Sequence, residues 1–407
     1  MYMQGFLALL ISACLGLGGG VFSTLAQSSS FKTSVDYTFG EQISLSAELE
    51  SAQPVDSATV FIQAVGDTHT SVGPAKVESR GKGIYSFTYT HLLSDYHFRP
   101  YSRIEYRFEV HLSGGDTLNP PANSFSYIDN RFAWQELQEK PFHIHWYEGD
   151  VSFAQQMLDV AQEGLNHIQN LLPLDPPEEI NIYTYADPVA MREALNPSSA
   201  AWSVGHADPD LGVILVALKP DAGERQFMEQ RLPHEIMHVL LYQQVNQGYA
   251  NLPVWLNEGM ASLAELSPNM DYSVTLQDAL AKGNLLPIAS LCKAFPRDAS
   301  GALLSYAESA SFTDYIYRQY GSTGLQRLVT EYANGLDCRR APEAAFGSEL
   351  EQLERNWRRE ALGERWTFSA WANLLPWLVL LLAALASPLG LALARRRTGH
   401  DKGALHG

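Results

Sequence analysis

Positive charge is what this 407-residue chain has least of: 28 Lys and Arg against 45 Asp and Glu leave a formal net charge of −17. Such a surface repels phosphate backbones, so nucleic acid is excluded as a partner. The one dense basic cluster, Arg395-Arg396-Arg397, follows an apolar run and belongs to it. Cysteine is scarce as well, with three in the whole chain, and Cys14 falls in an apolar N-terminal segment. That leaves Cys292 and Cys338, an even pair that an exported compartment would allow to form one disulfide. Charge is missing altogether from 372 to 394. What is not lacking is apolar content: a hydrophobic share of 46% describes a folded chain rather than a disordered one.

The strongest pattern in the chain is His234-Glu235-x-x-His238, followed by Trp255-Leu-Asn-Glu258-Gly. On a helix, His234 and His238 project from the same face one turn apart, so both imidazoles can reach one metal ion. Glu235 lies beside the first ligand, where its carboxylate can take a proton from an activated water without binding metal itself. The run 227–244 is apolar on one side and contains no Gly, and Pro233 within it would mark a helix start or a kink. A second helical stretch begins near Val254 and carries Glu258. Two imidazoles and a carboxylate suit a single Zn2+ ion. With nitrogen and oxygen donors complete, neither Cys292 nor Cys338 is needed as a ligand.

At these residues the sequence resembles the gluzincin metallopeptidases, and the peptidase MA-like family in particular. The resemblance implies an α+β zincin (thermolysin-like) domain over 135–365 with a helical C-terminal part, in which His234, His238 and Glu258 hold zinc and Glu235 is the general base. Its substrate would be a peptide or protein. The zinc aminopeptidases share the Trp-Leu-Asn-Glu-Gly stretch but also carry a Gly-x-Met-Glu-Asn segment that recognises a free amine. This chain has none, so aminopeptidase activity is not implied. Glu265, seven positions after Glu258, returns to the same helical face and could orient a histidine ligand, whereas Ser262 stands where some gluzincins have Asp. Tyr306, in Ser305-Tyr-Ala-Glu-Ser309, is a candidate donor to an oxyanion. Two other functions use the same residues: a metal-dependent hydrolase acting on a non-peptide bond, or a cell-surface binding protein that keeps the metal helix as scaffold. An intact Glu235 speaks against the second.

The remainder of the chain reads as flanking parts. Residues 1–26 look like an export signal. From 27 to 134, short alternating stretches such as Gln42-Ile-Ser-Leu-Ser-Ala-Glu-Leu predict an all-β immunoglobulin-like sandwich. Beyond 134 a strand, a helix, two more strands and a short helix precede the metal-binding helix. The strand 212–218 is a candidate sheet edge for an extended substrate. His206 and Asp208 fall in a predicted loop, and His143 and His145 alternate on a strand with no partner set evident, which favours a structural role. The apolar run 372–394 would span roughly 30 Å at about 1.5 Å per residue. With Trp366, Trp371 and Trp377 crowding its amino-terminal end and three Arg after it, it predicts one transmembrane helix in a lipid bilayer. That places the catalytic domain extracytoplasmic at a cell membrane and the tail 395–407 in the cytoplasm.

Overall fold

The computed structural model describes residues 31–175, 178–195, 205–221, 223–363, 375–381 and 384. The expected export signal at 1–26 lies outside them. The chain divides into two compact units, one running to Phe98 and again over Ser102–Tyr127, the other comprising Arg99–Tyr101 and everything from Ile128.

The first unit is all β: β1 (Phe31–Thr38), β2 (Gln42–Glu50), β3 (Val55–Ala64), β4 (Ser71–Gly81), β5 (Ile84–Leu92), β6 (Arg103–Leu112), β7 (Thr117–Leu118) and β8 (Asn123–Ser126). Alternation decides which face is buried. Ile43, Leu45, Ala47 and Leu49 of β2, and Ala58, Val60, Ile62 and Ala64 of β3, all point inward, each full burial of a large aliphatic side chain contributing about 1.5–3 kcal/mol. The expected immunoglobulin-like sandwich of two separate sheets does not form. β4 pairs with β3 over Ser71–Ala75 and with β5 over Lys76–Gly81. The eight strands are therefore one continuous sheet, β1-β2-β5-β4-β3-β6-β7 with β8 also on β6, bent into a half-barrel. Alternating patterns specify faces, not partners, and so could not reveal that one strand serves both halves.

The second unit is α+β. Its sheet is built from β9 (Gln135–Glu139), β10 (Phe142–Trp146), β11 (Ile180–Tyr185), β12 (Gly205–Asp208) and β13 (Val213–Ala217), in the order β12-β13-β11-β10-β9. β10, β11 and β13 run parallel, and the two outer strands are antiparallel to their neighbours. β13 is thus interior and buried throughout, and the sheet edge is β12. The expectation that 212–218 forms the edge fails for that reason: a four-residue strand at 205–208 is too short to register as a period.

Besides 3-10 turns at Asn246–Asn251 and Ile288–Leu291, eight α-helices lie among the described residues between 151 and 360. They are α1 (Val151–Leu171), α2 (Pro188–Ala194), α3 (Arg225–Val245), α4 (Val254–Ala264), α5 (Met270–Lys282), α6 (Ala299–Ala333, broken at Gly321 by a φ of 66°), α7 (Arg340–Phe346) and α8 (Leu350–Glu360). Asp150 caps α1 by accepting from the backbone N–H groups of Ser152 and Phe153. Glycines set the helix spacing: a Cβ on Gly164 of α1 would lie 2.7 Å from Pro233 Cγ on α3, and one on Gly259 of α4 would lie 2.5 Å from the Ser309 carbonyl oxygen on α6. The core between α4, α6 and α8 holds Trp255, Phe312 and Trp357, with ring centroids 5.0 and 5.5 Å apart. Cys292 and Cys338 are bonded to each other, with Cα atoms 6.2 Å apart.

The expected transmembrane helix over 372–394 does not stand. No helix among the described residues is long and apolar enough to cross a membrane. Of that run only 375–381 and 384 are described, and they are helical. The assignment of a cell-membrane location and a cytoplasmic tail falls with it, and the remaining residues of that stretch lie outside those described.

One buried carboxyl gives this unit a pH signature. Glu308 on α6 is fully buried; its Oε1 accepts from the Leu286 N–H at 2.8 Å, while Oε2 has no hydrogen-bond partner among the described residues. Burial pushes its pKa up to about 8. An acid raised in the folded state holds its proton there while the unfolded chain has lost it, so stability falls as pH rises from 4.5 towards 8. Between about pH 6 and about pH 8.5 the wild type should lose roughly 2–3 kcal/mol from this group, and Glu308→Gln should lose that much less. Parallel urea-unfolding profiles of the two proteins across that range would refute the assignment.

Candidate metal centre

Pro233 sits inside α3, not at its start. Having no N–H, it leaves the Glu229 carbonyl without its helical partner. The N–H of Leu266, just past the end of α4, fills that place at 2.9 Å. The bond ties the end of α4 to α3 one turn before the two histidines, so three side chains from two helices converge. His234 Nε2 lies 3.4 Å and His238 Nε2 3.8 Å from Glu258 Oε2, and one donor atom from each residue falls within 4.8 Å of the others.

The outward ring nitrogens are also met. His234 Nδ1 lies 3.1 Å from Glu265 Oε1, which the Leu266 bond brings there. His238 Nδ1 faces Asn257 Oδ1 and the Tyr249 hydroxyl, each at 3.2 Å, and Asn257 Nδ2 donates to that hydroxyl at 2.8 Å. Acceptors on both Nδ1 atoms favour the tautomer that leaves Nε2 as a lone pair directed at Glu258. In the protein alone, burial would push the His234 imidazole down, but hydrogen bonds to Glu258 and Glu265 outweigh it and hold it well above the usual histidine range. Burial would raise Glu258, and the hydrogen bond from His234 with the nearby His238 charge brings it below the usual carboxylate range. The pair is electrostatically matched, and a divalent cation would complete it. The donor set fits zinc: two borderline imidazoles and one carboxylate, with both rings fixed from behind.

Glu235 is buried beside this group and lines a cleft of about 330 Å³ together with Gly205, Arg231, Tyr272 and Tyr306. Gly205 opens the edge strand β12, and a Cβ there would lie 2.4 Å from Glu235 Oε1. Arg231 donates to the Ala217 carbonyl at 2.6 Å from the cleft wall. Tyr306 packs edge-on against Phe295 at 5.1 Å. Burial, then the charges of Glu258 and Glu235, raise its phenol above the usual range, so it keeps its proton. His206 lies on β12 with Nε2 3.5 Å from Asp208 Oδ1.

His234, Glu235, His238, Glu258, Glu265 and Tyr306 are therefore brought to one place, while Cys292 and Cys338 are elsewhere. Sequence reasoning missed Gly205, Tyr249, Asn257 and Arg231. Asn257 carried a signal, since it is one residue before Glu258 and so one helical step from the metal face. Tyr249 lies on a 3-10 turn with no period to read, and Gly205 announces itself only through the side chain it admits.

A family model described as the Peptidase MA superfamily matches residues 160–363, half of the chain. No curated protein sequence matches it. Among solved structures it is similar to OgpA from Akkermansia muciniphila, with 16% identity over 24% of this chain and 27% of that one at a TM-score of 0.20. A cycloalternan-degrading enzyme from Trueperella pyogenes shows 13% identity over 28% and 16% of the two chains at 0.18. A purple acid phosphatase from yellow lupin (Lupinus luteus) shows 10% over 47% and 35% at 0.21. The chain thus spans about a quarter of the length of OgpA.

The Gly205 contact yields a direct test. In Gly205→Ala the flexible end of Glu235 gives way rather than the backbone, so stability should change little and metal content not at all. Hydrolytic turnover should fall about 10–100-fold, because a displacement near 1 Å misplaces the carboxylate. Unchanged turnover would show that the position of Glu235 does not matter.

Proposed function

The chain belongs to the Peptidase MA superfamily, and on that premise we propose that it is a zinc-dependent metallopeptidase of gluzincin type, with a peptide or protein substrate. Membership suggests a metallopeptidase-like hydrolase; the finer reading rests on one observation, the convergence of His234, His238 and Glu258 beside Glu235 at the foot of a cleft. His234, His238 and Glu258 would hold one ion. When bound, zinc supplies Lewis acidity that acidifies water and polarises a carbonyl.

The chain's own groups do the rest. Glu235 would accept a proton from the attacking water and return it to the leaving amine, and its burial keeps competing solvent away. Tyr306, protonated and facing the same cleft, would donate its O–H to the developing oxyanion. Glu265 and Asn257 position the ligand rings. An extended peptide would lie along β12, the strand that Gly205 opens beside Glu235, with its scissile bond over that carboxylate.

Glu235→Gln separates binding from turnover. We expect its zinc content, measured on the purified protein, to equal that of the wild type, while cleavage of a diverse peptide library falls at least about 1,000-fold. Full cleavage by this variant, or wild-type cleavage undiminished by chelator, would sink the proposal. Tyr306→Phe should lower kcat about 100-fold with KM little altered, as removal of one oxyanion donor does; an unchanged kcat would remove Tyr306 from the mechanism.

A further inference from the structure

A second set of metal-ligating side chains stands at the opposite edge of the same five-stranded sheet. His143 and His145 are two apart on β10 and share a face, with ring centroids 4.3 Å apart. Glu136 on β9 is directly opposite His145 in the antiparallel register. Its carboxylate meets both rings: Oε2 is 3.4 Å from His143 Nε2, and Oε1 is 3.7 Å from His145 Nδ1. One donor atom from each of the three lies within 4.8 Å of the others, as in the cleft.

The far nitrogens distinguish this arrangement from a chance ion pair. His145 Nε2 lies 3.0 Å from Asn181 Oδ1, and His143 Nδ1 lies 3.8 Å from Glu179 Oε1. Asn181 Nδ2 in turn donates to Glu179 Oε1 at 3.2 Å, which fixes the direction of its amide and leaves Oδ1 as the acceptor for the histidine N–H. Tyr183 stacks on His145 at 4.2 Å and 7°, holding the ring plane. The acceptor behind His145 leaves its Nδ1 lone pair facing Glu136, and His143 Nε2 faces the same carboxylate, an arrangement suited to ligating histidines.

From this geometry we propose that Glu136, His143 and His145 form a second, structural site for a divalent cation of the zinc class. Two imidazoles select against magnesium and calcium, which take oxygen ligands. Glu136 is 60% exposed at its side chain, so solvent can supply the remaining coordination position. The ion adds a side-chain anchor to β9, of whose five residues only Leu137 is even partly buried. It staples this edge strand to β10, and through Asn181 to β11. The site uses none of the residues in the cleft, so it stands or falls independently of peptidase activity.

Equilibrium dialysis of the full chain against zinc alone, with metal analysis, tests it. The wild type should hold two ions, one per group. The double variant Glu136→Ala, His143→Ala, whose side chains sit at the sheet surface and leave the buried His145 in place, should hold one. The complementary variant His234→Ala, His238→Ala should also hold one, and zinc should raise its thermal midpoint. In a chain with all four changes binding should weaken at least tenfold and the midpoint shift should vanish. One ion in the wild type and none in His234→Ala, His238→Ala overturns the proposal, as does binding left undiminished by Glu136→Ala, His143→Ala; each variant tests it alone, so the failure of one to fold does not spare it.

Discussion

A missing hydrogen-bond donor organises the candidate site. Pro233 cannot supply the N–H that the Glu229 carbonyl would receive in an uninterrupted helix, and a buried carbonyl left unpaired costs about 1–3 kcal/mol. The Leu266 N–H answers it at 2.9 Å. Because Leu266 follows Glu265 and closes α4, this one bond sets the distance between the helix bearing both histidines and the helix bearing Glu258. It also delivers Glu265 to the back of His234. The substitution usually counted as damage to a helix is here the means by which two helices are docked.

Close approach is the companion constraint. Gly164 accepts the ring of Pro233, Gly259 lets α4 lie on the α6 backbone, and Gly205 makes room for Glu235. None of these three has a positive φ, so glycine is required for its missing side chain and not for backbone freedom. Volume at each contact is fixed to within a methyl group, which is how a cleft lined by Arg231, Tyr272 and Tyr306 keeps a buried carboxylate at a set position.

What the sequence could show depended on whether a signal was local. The four-residue spacing of His234 and His238 is a property of one helix face and Glu258 falls on the next helix, and the structure gathers them; Glu265 arrives there as the C-cap of α4, with a ψ of 130°, and not by a seven-residue return along a helical face. Tyr249 approaches His238 from a 3-10 turn and had no period to betray it. Glu136 completes a group with His143 and His145 only across a β-turn, through antiparallel register. Alternation in the first unit correctly marked inward residues such as Ile43 and Val60 but carried no statement of which strand lies beside which. The apolar stretch 372–394 misled for a related reason: composition over a window says what a segment tolerates, and no helix among the described residues is long and apolar enough to cross a membrane.

Strand β4 deserves a last consideration, since it closes ladders on two sides along different parts of its length. Residues 71–75 complete one half of the sheet and 76–81 the other, so neither half owns a full set of strands without it. The N-terminal unit consequently has no smaller piece able to stand alone. A chain nicked or truncated within those eleven residues would leave pairing edges of both β3 and β5 open at once, and evolution could lengthen or shorten the outer strands far more freely than this seam.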